Sequence, residues 1–586
     1  MILVPREKID YYTAQGWWGT ETLWDLFARH RRERPHAEAV VDAPNRAEFA
    51  HGLPRRLTWA QLGDAVDRFC GMLLAQGIRR DDVLLLQLPN TVEQFIVYLA
   101  CARLGIVVTP VPVQYREHEL EHIIATTQAA GAVTFARIGK PDNGHAAAAM
   151  FSSLGAQHAS LRAVFAWGES AAAVTAAGAV DIAQHTEADL DEEAYGRLHQ
   201  AERLAGVTAN DVFTICWTSG TEAAPKGVPR SHNEWLVIAP SIIEAASLQP
   251  QARLLNPFPL VNMAGLSTAF AGWLTLGGTV VQHHPFSLPV FLQQLRDECI
   301  DYTVAPPAIL NALLQNDKLL EGIDFGRLSR IGSGSAPLSD WMVRGFQERY
   351  GVQIVNYFGS NEGAALSGNE VDIPDPALRA QFFPRAGVDG FAWNVSTARK
   401  IRTRLVDLET GEDISCAAQP GEIRFSGPTI FSGYYGAPEL SARAFDAQGF
   451  YKTGDLFEIA GDRLQYYRYV GRSKDLVIRG GVNISSEEIE NLLLACPGVR
   501  EAAVVAVPDA TLGEKVCACI VVAEGQTVDL AVITAFLRDH KRVAVYKLPE
   551  YFLPLAAMPR NPVGKILKRE LREQAKGLAP PLKVPE

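Results

Sequence analysis

The stretch VFTICWTSGTEAAPKG, residues 212–227, joins an apolar run to a loop of hydroxyl-bearing residues and glycines. The run 212–217 has the length and the β-branched and aromatic content of a buried strand. In the loop, hydroxyls, glycine amides and the Lys226 ammonium can surround an anion, because backbone N–H groups approach phosphate oxygens closely at glycines. The pattern predicts a phosphate-binding loop at the end of a buried strand, with a polar surface loop as the alternative.

This loop differs from a Walker A sequence. That motif has glycine directly before its lysine and serine or threonine directly after it. Here Pro225 precedes Lys226 and Gly227 follows it. The P-loop kinases and GTPases are therefore excluded.

Similar apolar runs occur elsewhere, at residues 83–88, 279–282, 302–305 and 352–357, with helix-length segments between them. Residues 91–104 have the pattern of an amphipathic helix. Strands of this kind are buried on both faces, so the chain is expected to be an α/β protein with helix-covered sheets. We interpret the alanine-rich residues 146–183 as a surface excursion.

A length of 586 residues exceeds what one hydrophobic core can organise. The end of the chain has its own pattern. Ser485 and Glu488 form a capping box at the start of a helix that is predicted to end at Pro497-Gly498. Strands at 502–507 and 516–522 and a helix at 528–540 follow it. We predict a large N-terminal domain, residues 1–471, and a small mobile α+β domain, residues 472–586. The glycine and charges of residues 471–475 suit a hinge, with Lys474 at its centre.

The composition excludes several classes of protein. A net charge of -11 leaves no basic excess for a nucleic-acid partner. The eight cysteines are scattered, which argues against a zinc site or a disulfide framework and favours the cytoplasm. Residues 254–295 contain no charged side chain, but prolines and glycines interrupt them, so no transmembrane helix is expected. The N-terminus does not have the pattern of an export signal.

Seven short motifs carry a resemblance to a known superfamily. The segment TSGTEAAPKG at 218–227 resembles the TSG[ST]TGxPKG loop of the adenylate-forming enzymes, which include acyl-CoA synthetases, peptide-synthetase adenylation domains and luciferases. Six further segments resemble that superfamily's motifs in the same order: GSAP at 334–337, YFGSNE at 357–362, GEI at 421–423 with GYY at 433–435, YKTGDL at 451–456, GRSKD at 471–475 and PVGK at 562–565.

The resemblance implies roles for individual residues toward ATP, Mg²⁺ and coenzyme A. The expected phosphate-binding residues are Thr218, Ser219, Gly220, Thr221, Lys226 and Asn361. Glu362 would hold Mg²⁺, Asp455 and Arg472 would bind the ribose, and Gly334 and Tyr357 would enclose the adenine. Lys565 and His232 are the expected catalytic residues, and Gly480 and Gly481 would form the narrow entry for the pantetheine thiol.

Each of these residues also has a simpler reading that stays open. Glu362 would otherwise be a solvated or capping glutamate, and Asp455 a turn residue. Lys565 would be one more charge in a basic tail. His232 would serve a structural purpose at a helix start, and the pair Gly480-Gly481 would be an ordinary turn.

The chain departs from the superfamily pattern at three positions. Glu222 replaces the second glycine of the loop and adds negative charge beside the expected phosphates. Asn361 stands where threonine is usual, and its amide can still donate to phosphate. Asn262 stands where many relatives have histidine.

Within the superfamily the closest resemblance is to free-standing aryl-acid adenylating enzymes. Those enzymes have asparagine at the position of Met263, where it hydrogen-bonds a ring hydroxyl. Methionine cannot donate a hydrogen bond, which favours an apolar acid. The expected acid-binding residues are Asn262, Met263, Gly265 and Phe358, with an alicyclic, aromatic or medium-chain carboxylate as substrate.

The resemblance implies an ATP-dependent acid:CoA ligase that forms AMP through an acyl-adenylate. Two alternatives remain: an aryl-acid AMP ligase that loads a carrier-protein phosphopantetheine, and a non-catalytic protein that keeps an ATP pocket. A homodimer is a further expectation.

Overall fold

The computed structural model describes residues 1–140, 142–218, 225–334, 338–479, 482–509, 512–561 and 564–578. The segments that connect its strands are mostly helical, so the α/β class is confirmed. The strands of the first half are β1 Glu38–Val41, β2 Arg56–Thr58, β3 Val83–Gln87, β4 Val107–Pro110, β5 Gly131–Phe135, β6 Ala163–Trp167, β7 Val180–Asp181, β8 Val212–Trp217, β9 Gly227–Ser231, β10 Arg253–Asn256, β11 Thr279–Gln282 and β12 Tyr302–Val304.

The second half contributes strands to three sheets. These strands are β13 Arg330–Gly334, β14 Gln353–Gly359, β15 Ala365–Gly368, β16 Phe382–Pro384, β17 Arg402–Val406, β18 Gly421–Ser426, β19 Tyr451–Ala460, β20 Tyr466–Arg472, β21 Val477–Arg479, β22 Val482–Ile484, β23 Val499–Asp509, β24 Gly513–Val522 and β25 Tyr551–Leu555.

The helices cover these strands. They are α1 Arg6–Ala14, α2 Leu23–Glu33, α3 Trp59–Ala75, α4 Val92–Leu104, α5 Glu117–Thr127, α6 Ala147–Gln157, α7 Ala171–Ala176, α8 Ile182–Thr186, α9 Glu192–Ala205, α10 His232–Ala245, α11 Met263–Leu266, α12 Trp273–Leu276, α13 Leu288–Asp297, α14 Pro307–Gln315, α15 Asp340–Tyr350, α16 Pro376–Gln381, α17 Pro438–Ala444, α18 Ser486–Leu494, α19 Leu530–Ala535 and α20 Lys568–Lys576.

The first sheet has seven strands in the order β7-β6-β5-β3-β4-β8-β9. Its strands pair in parallel except β9, which runs antiparallel to β8. All residues of β8 are buried, as the composition of residues 212–217 predicts. The reading of residues 146–183 as a surface excursion is wrong. They supply α6, β6, α7 and β7, and they bury Phe151 and Phe165 because the sheet needs this apolar cover and two more strands.

The second sheet has eight strands in the order β15-β14-β13-β12-β10-β11-β1-β2. The strands β14, β13, β12, β10, β11 and β1 pair in parallel, and antiparallel strands close both edges. The strands predicted at 279–282, 302–305 and 352–357 are confirmed within two residues at their ends. Parallel strands place their carboxyl ends at one edge, which is where ligand sites form in open α/β sheets.

One large hydrophobic core contains residues from both of these sheets. The helix α4 lies in it, and every one of its residues is buried. The expectation of an amphipathic helix at 91–104 is therefore wrong. Its charged residue Glu93 is satisfied internally by Arg46, at 2.6 Å, rather than by water. A buried carboxylate needs such a partner because desolvation of an unpaired charge is costly.

A third sheet of five strands, in the order β16-β20-β19-β18-β17, precedes the C-terminal unit. That unit has its own sheet, β22-β21-β24-β23 with β25 beside β24, and separate hydrophobic clusters on its two faces. The large N-terminal and small C-terminal domains are thereby confirmed. The helix after Ser485 ends at Leu494, before Pro497, and the helix predicted at 528–540 is α19 followed by a π-helix, Phe536–His540. The boundary at residue 472 stays a prediction.

The uncharged stretch 254–295 is divided between β10, α11, a π-helix at Ser267–Gly272, α12, β11 and the start of α13. Across the part of the chain that the structure describes, no helix is both long and apolar enough to span a membrane. Short elements satisfy the backbone hydrogen bonds of an apolar segment as well as one long helix would.

Candidate active site

Two hydrogen bonds join the ends of the predicted phosphate loop, Thr218 and Lys226, and we call this pair of residues the neck of the loop. Thr218 N donates to the carbonyl oxygen of Lys226 at 3.0 Å, and Lys226 N donates to Thr218 Oγ1 at 3.1 Å. These bonds extend the β8–β9 pairing to the two sides of the loop. The predicted phosphate ligands Ser219, Gly220 and Thr221 lie outside the described residues, as does Glu222.

The structure brings Lys226 and Glu362 together around one tyrosine. Lys226 Nζ lies 5.0 Å from the ring centroid of Tyr434, whose hydroxyl donates to Glu362 Oε1 at 3.0 Å. The backbone N of Phe431 donates to the Glu362 carbonyl at 2.9 Å. Burial and the neighbouring Glu362 carboxylate raise the pKa of Tyr434, which keeps its hydroxyl a donor. A cation and a carboxylate that are distant in sequence are thus placed beside the neck.

Glu362 fits the role of a magnesium ligand. Its side chain is 8% exposed, and its Oε1 atom keeps a fixed orientation through Tyr434. Mg²⁺ is usually held by one or two carboxylates together with substrate phosphates and water. Among the described residues there is no group of three or more His, Cys, Asp or Glu side chains that could hold a metal. Glu362, as a single carboxylate beside the predicted phosphate loop, agrees with a Mg²⁺ ion held by one protein carboxylate together with substrate phosphates and water.

Asn361 joins three segments of the site. Its Oδ1 accepts a hydrogen bond from Met263 N at 2.9 Å, and its Nδ2 donates to the Trp217 carbonyl at 3.1 Å. The amide therefore fixes the end of β8 against the start of α11. The phosphate-donor role stays a prediction, and it would fall to the second N–H of the amide.

Asp455 and Arg472, which the motifs predict to bind the ribose, are in direct contact. Arg472 Nε donates to Asp455 Oδ1 at 2.8 Å, and the two residues face each other on the paired strands β19 and β20. Asp455 is only 3% exposed. Burial raises its pKa, while the charges of Arg472 and Lys565 act in the opposite direction.

Glu422 supports this pair, a role that the sequence alone did not reveal. Its Oε1 accepts from Gly454 N at 3.0 Å, and its Oε2 accepts from Arg424 Nε at 2.8 Å. Gly454 has φ +71°, a conformation that favours glycine, and it directly precedes Asp455. The buried Glu422 thus holds the turn that presents Asp455. Glu422 belongs to the GEI motif, but the Gly454 backbone N–H that it binds lies on another strand, so the motif alone did not reveal this contact.

The adenine-side residues are adjacent. Gly334 pairs with Tyr357 across β13 and β14, and a Cβ atom at Gly334 would overlap the Tyr357 carbonyl, so glycine is required. The hydroxyl of Tyr302 donates to that of Tyr357 at 3.2 Å, which holds the ring. The adenine contacts themselves stay predictions.

The predicted acid-binding residues are only partly brought together. Asn262 caps α11 by accepting from Gly265 N at 3.3 Å, and the Met263 side chain is buried in the large core. Gly265 packs so closely on the Pro259 carbonyl that a Cβ atom would overlap it. Phe358 instead faces the third sheet, with its ring 5.0 Å from that of Phe457. It packs against the hydrophobic cluster of the third sheet, whereas Met263 belongs to the large core.

His232 is a buried residue at the start of α10. Its Nδ1 accepts a hydrogen bond from Leu23 N at 3.3 Å, and its ring stacks on Phe213 at 5.3 Å. Burial lowers its pKa to about 4, so it is neutral at pH 7. Its described contacts do not include Lys226 or Glu362. These contacts give His232 a structural role at the start of α10, and its catalytic role stays a prediction.

The C-terminal unit approaches the site through Lys565. Its backbone N donates to Asn561 Oδ1 at 2.8 Å, and its charge acts on the Asp455 carboxylate. Lys474 lies in the short 3-10 turn Ser473–Asp475 that follows β20, where a hinge is predicted. Gly480 and Gly481 lie outside the described residues.

Glu487 is expected to make stability depend on pH at the boundary of the two units. Tyr469 donates to its Oε1 at 3.3 Å, and burial raises its pKa from 4.5 to about 7, with Lys568 opposing and Glu490 and Asp455 adding to the rise. Between those pH values the folded protein retains a proton that the unfolded chain has released. The free energy of unfolding therefore falls as pH rises through this window.

The change Glu487→Gln removes this titration and keeps the shape. We expect the melting temperature of the variant to exceed that of the wild type at pH 8 and to approach it at pH 5. Glu488→Gln is the matched control, because Glu488 is exposed and pairs with Lys547 at 2.7 Å. An equal offset at both pH values for Glu487→Gln would contradict the buried titration.

Comparison with known proteins agrees with this geometry. A family model of the AMP-binding enzyme matches residues 27–435, and a model of the AMP-binding enzyme C-terminal domain matches residues 488–565. The chain is 30% identical to the medium-chain fatty-acid–CoA ligase of Escherichia coli (strain K12) over 570 residues, which is 96% of this chain and 92% of that protein. It is 29% identical to enterobactin synthase component E of the same strain, over 97% of each chain.

The solved structures include a similar fold. ATP-bound MatB from Rhodopseudomonas palustris superposes with a TM-score of 0.74 at 25% identity, covering 95% of this chain and 100% of that chain. The similarity extends over both the large and the small unit.

Proposed function

The chain belongs to the family of AMP-binding enzymes, and from this premise we propose that it is an ATP-dependent acid:CoA ligase acting on an apolar carboxylic acid. One observation carries the proposal. Four segments that are distant in sequence interact: Lys226 and Glu362 through Tyr434, Asp455 with Arg472 by a hydrogen bond, and the Asp455 carboxylate with the charges of Glu362 and Lys565.

The proposed reaction has two steps. A carboxylate oxygen of the acid attacks the α-phosphate of ATP, and pyrophosphate leaves as the acyl-adenylate forms. The sulfur of coenzyme A then attacks the acyl carbon, and AMP leaves with its electron pair. The first step brings two anions together, so it needs cations and oriented donors where negative charge accumulates.

This chain's residues are suited to those demands. Lys226 and the loop would hold the β- and γ-phosphates, Asp455 and Arg472 would hold the ribose, and Lys565 would contact the carboxylate and the α-phosphate. Glu362 would hold magnesium, which supplies charge neutralisation at the phosphates when bound. For the second step the small domain would rotate about Lys474, which removes Lys565 and admits the thiol.

The acceptor distinguishes this proposal from its nearest rival. The relatives include a protein named as a fatty-acid–CoA ligase and one named as a component of enterobactin synthase. Carrier-protein loading would use the same adenylation chemistry. Coenzyme A is favoured here because Met263, at the expected acid pocket, suits an apolar acid rather than a hydroxylated aryl acid. A cytoplasmic location, supported by the eight free cysteines, and a homodimer belong to the same proposal.

Matched pairs of acids test the function. We expect acid-dependent ATP/pyrophosphate exchange with benzoate, cyclohexanecarboxylate or octanoate, and CoA-dependent AMP release with the best of them. The hydroxylated partner 2,3-dihydroxybenzoate should have a kcat/KM at least about tenfold below benzoate, because its hydroxyl would lack a hydrogen-bond partner.

Three outcomes decide between the alternatives. Exchange without CoA-dependent AMP release, but with loading of a phosphopantetheine carrier protein, would favour the carrier-loading ligase. ATP binding with no exchange for any acid would favour the non-catalytic protein. Preference for the hydroxylated acid would contradict the assignment of Met263.

A further inference from the structure

Arg230 is a completely buried arginine on β9 whose guanidinium binds three carbonyl oxygens. Its Nη1 donates to Asn361 at 3.2 Å, and its Nη2 donates to Glu234 at 2.9 Å and to Thr429 at 3.0 Å. The group also lies over the ring of Trp235, 5.0 Å from its centroid. Three separate segments are thereby held by one side chain.

Two of these segments surround the backbone of Glu362. Asn361 directly precedes it, and Thr429 lies two residues before Phe431, whose N–H donates to the Glu362 carbonyl. The next residue, Gly363, has φ +97°, and a Cβ atom there would overlap the Thr429 carbonyl and lie 2.7 Å from Arg230 Nη1. The guanidinium is therefore packed directly against the turn that carries Glu362.

The charge of Arg230 is balanced by carboxylates. Burial lowers its pKa, and the nearby Glu234 and Glu362 act in the opposite direction. Glu234 is itself buried and accepts from Ser231 N at 2.6 Å. A buried cation of this kind is retained only with partners, because an unpaired one would be strongly destabilising.

A planar guanidinium suits this place better than an ammonium. It can donate to several carbonyls in fixed directions at once, whereas lysine is a point charge on a flexible stem. Removing it would take one donor away from each of three carbonyl oxygens and would remove a support of the Glu362 turn.

We propose that Arg230 is a positioning residue for Glu362: it fixes the turn 361–363 and the Thr429 segment so that the Glu362 carboxylate is held ready for the metal of a bound nucleotide. This inference rests on the proposed function. Arg230 acts through Glu362 and has no assigned contact with ATP or the acid. Groups that orient a metal ligand typically change metal affinity or activity by about 10–100-fold.

The chain contains a matched control in Arg379. This second fully buried arginine also binds backbone carbonyls, including those of Ile373 at 2.9 Å and Ile354 at 3.1 Å. It joins α16 to the eight-stranded sheet, and its described contacts do not include Glu362. The described side-chain hydrogen bonds that its loss removes are five, against three for Arg230, and they lie at a different place.

The experiment compares Arg230→Met, Arg230→Lys and Arg379→Met with the wild type. ATP affinity is measured by titration calorimetry in Mg²⁺ and in EDTA, and thermal stability is measured in parallel. We expect all three variants to lose stability. The ratio of ATP affinity in Mg²⁺ to that in EDTA should fall by about tenfold or more in Arg230→Met, fall less in Arg230→Lys, and remain unchanged in Arg379→Met.

The opposite results overturn the inference. If Arg230→Met keeps the wild-type ratio beside a stability loss equal to that of Arg379→Met, Arg230 is only structural. If Arg230→Met does not fold, the ratio in Arg230→Lys decides in the same way. A wild-type protein whose ATP affinity is the same in Mg²⁺ and in EDTA would instead overturn the metal role of Glu362 in the proposed function, and the role of Arg230 with it.

Discussion

Replacing Lys565 by alanine is expected to reduce acid-dependent ATP/pyrophosphate exchange by about 10²–10³-fold, the usual effect of losing one donor that stabilises developing charge. In the structure its charge favours the ionised form of the buried Asp455 carboxylate, which the proposed function assigns to the ribose. The amine is the one group in this proposal that reaches the α-phosphate from the C-terminal unit. Its loss should therefore affect the adenylation step alone.

A two-step assay separates that role from general damage. Lys565→Ala should still convert a chemically prepared acyl-adenylate and coenzyme A to product at a rate within about threefold of the wild type, because rotation of the small domain would have carried this lysine away from the nucleotide before the second step. Lys576→Ala is the control, since that exposed lysine pairs only with Glu573 among its described contacts. Full exchange activity in Lys565→Ala would refute the assigned role, and equal loss of both steps would indicate misfolding instead.

Replacing Glu362 by glutamine is the second change with a large expected effect. The amide keeps the size of the side chain and can still accept a hydrogen bond from Tyr434, but it has no charge to offer a hard divalent cation. We expect exchange to fall by about 10²-fold or more and half-saturation to require at least about tenfold more Mg²⁺.

The control for this variant is Glu439→Gln, an exposed carboxylate in the first turn of α17. It should leave both the exchange rate and the magnesium dependence unchanged. Because the described hydrogen bonds and ion pairs of Glu362 do not include Asp455 or Arg472, ATP affinity in EDTA should be the same in Glu362→Gln as in the wild type. An unchanged magnesium dependence in Glu362→Gln would mean that the metal is held elsewhere.

Glu362 and Arg230 make related but distinguishable predictions. Loss of Glu362 removes the carboxylate itself, whereas loss of Arg230 leaves the carboxylate in place without its support. The magnesium effect of Arg230→Met should therefore not exceed that of Glu362→Gln, and the double variant should show little further loss, because residues that act through one another are not additive.

Local patterns predicted much of the fold. The apolar runs that became β8, β11, β12 and β14 were identifiable because a strand buried on both faces needs continuous apolar residues. The burial of α4 could not be predicted in this way. Its sequence contains Glu93, and the distant Arg46 and Arg55 explain how that charge is accommodated in the core.

The alanine-rich residues 146–183 show a second limit of prediction from sequence, in which burial was missed because of composition. Alanine is compatible with both an exposed helix and a tightly packed one, so composition did not distinguish a surface excursion from α6 and β6. The structure buries this segment because its residues lie at the growing edge of the seven-stranded sheet. Whether a residue is buried depends on the residues that pack against it, and the tertiary structure decides which residues those are.

By itself the sequence predicted the main buried strands and a phosphate-binding loop, because strand formation and loop chemistry depend on adjacent residues. The resemblance of its motifs to a known superfamily added Glu362, Asp455 and Lys565 as candidates. The tertiary structure decided which of these side chains meet and what supports them. Arg230 reaches Asn361 across 131 positions of sequence, and Tyr434 reaches Glu362 across 72. Such contacts form only when separate sheets pack together, so no local pattern could have indicated them.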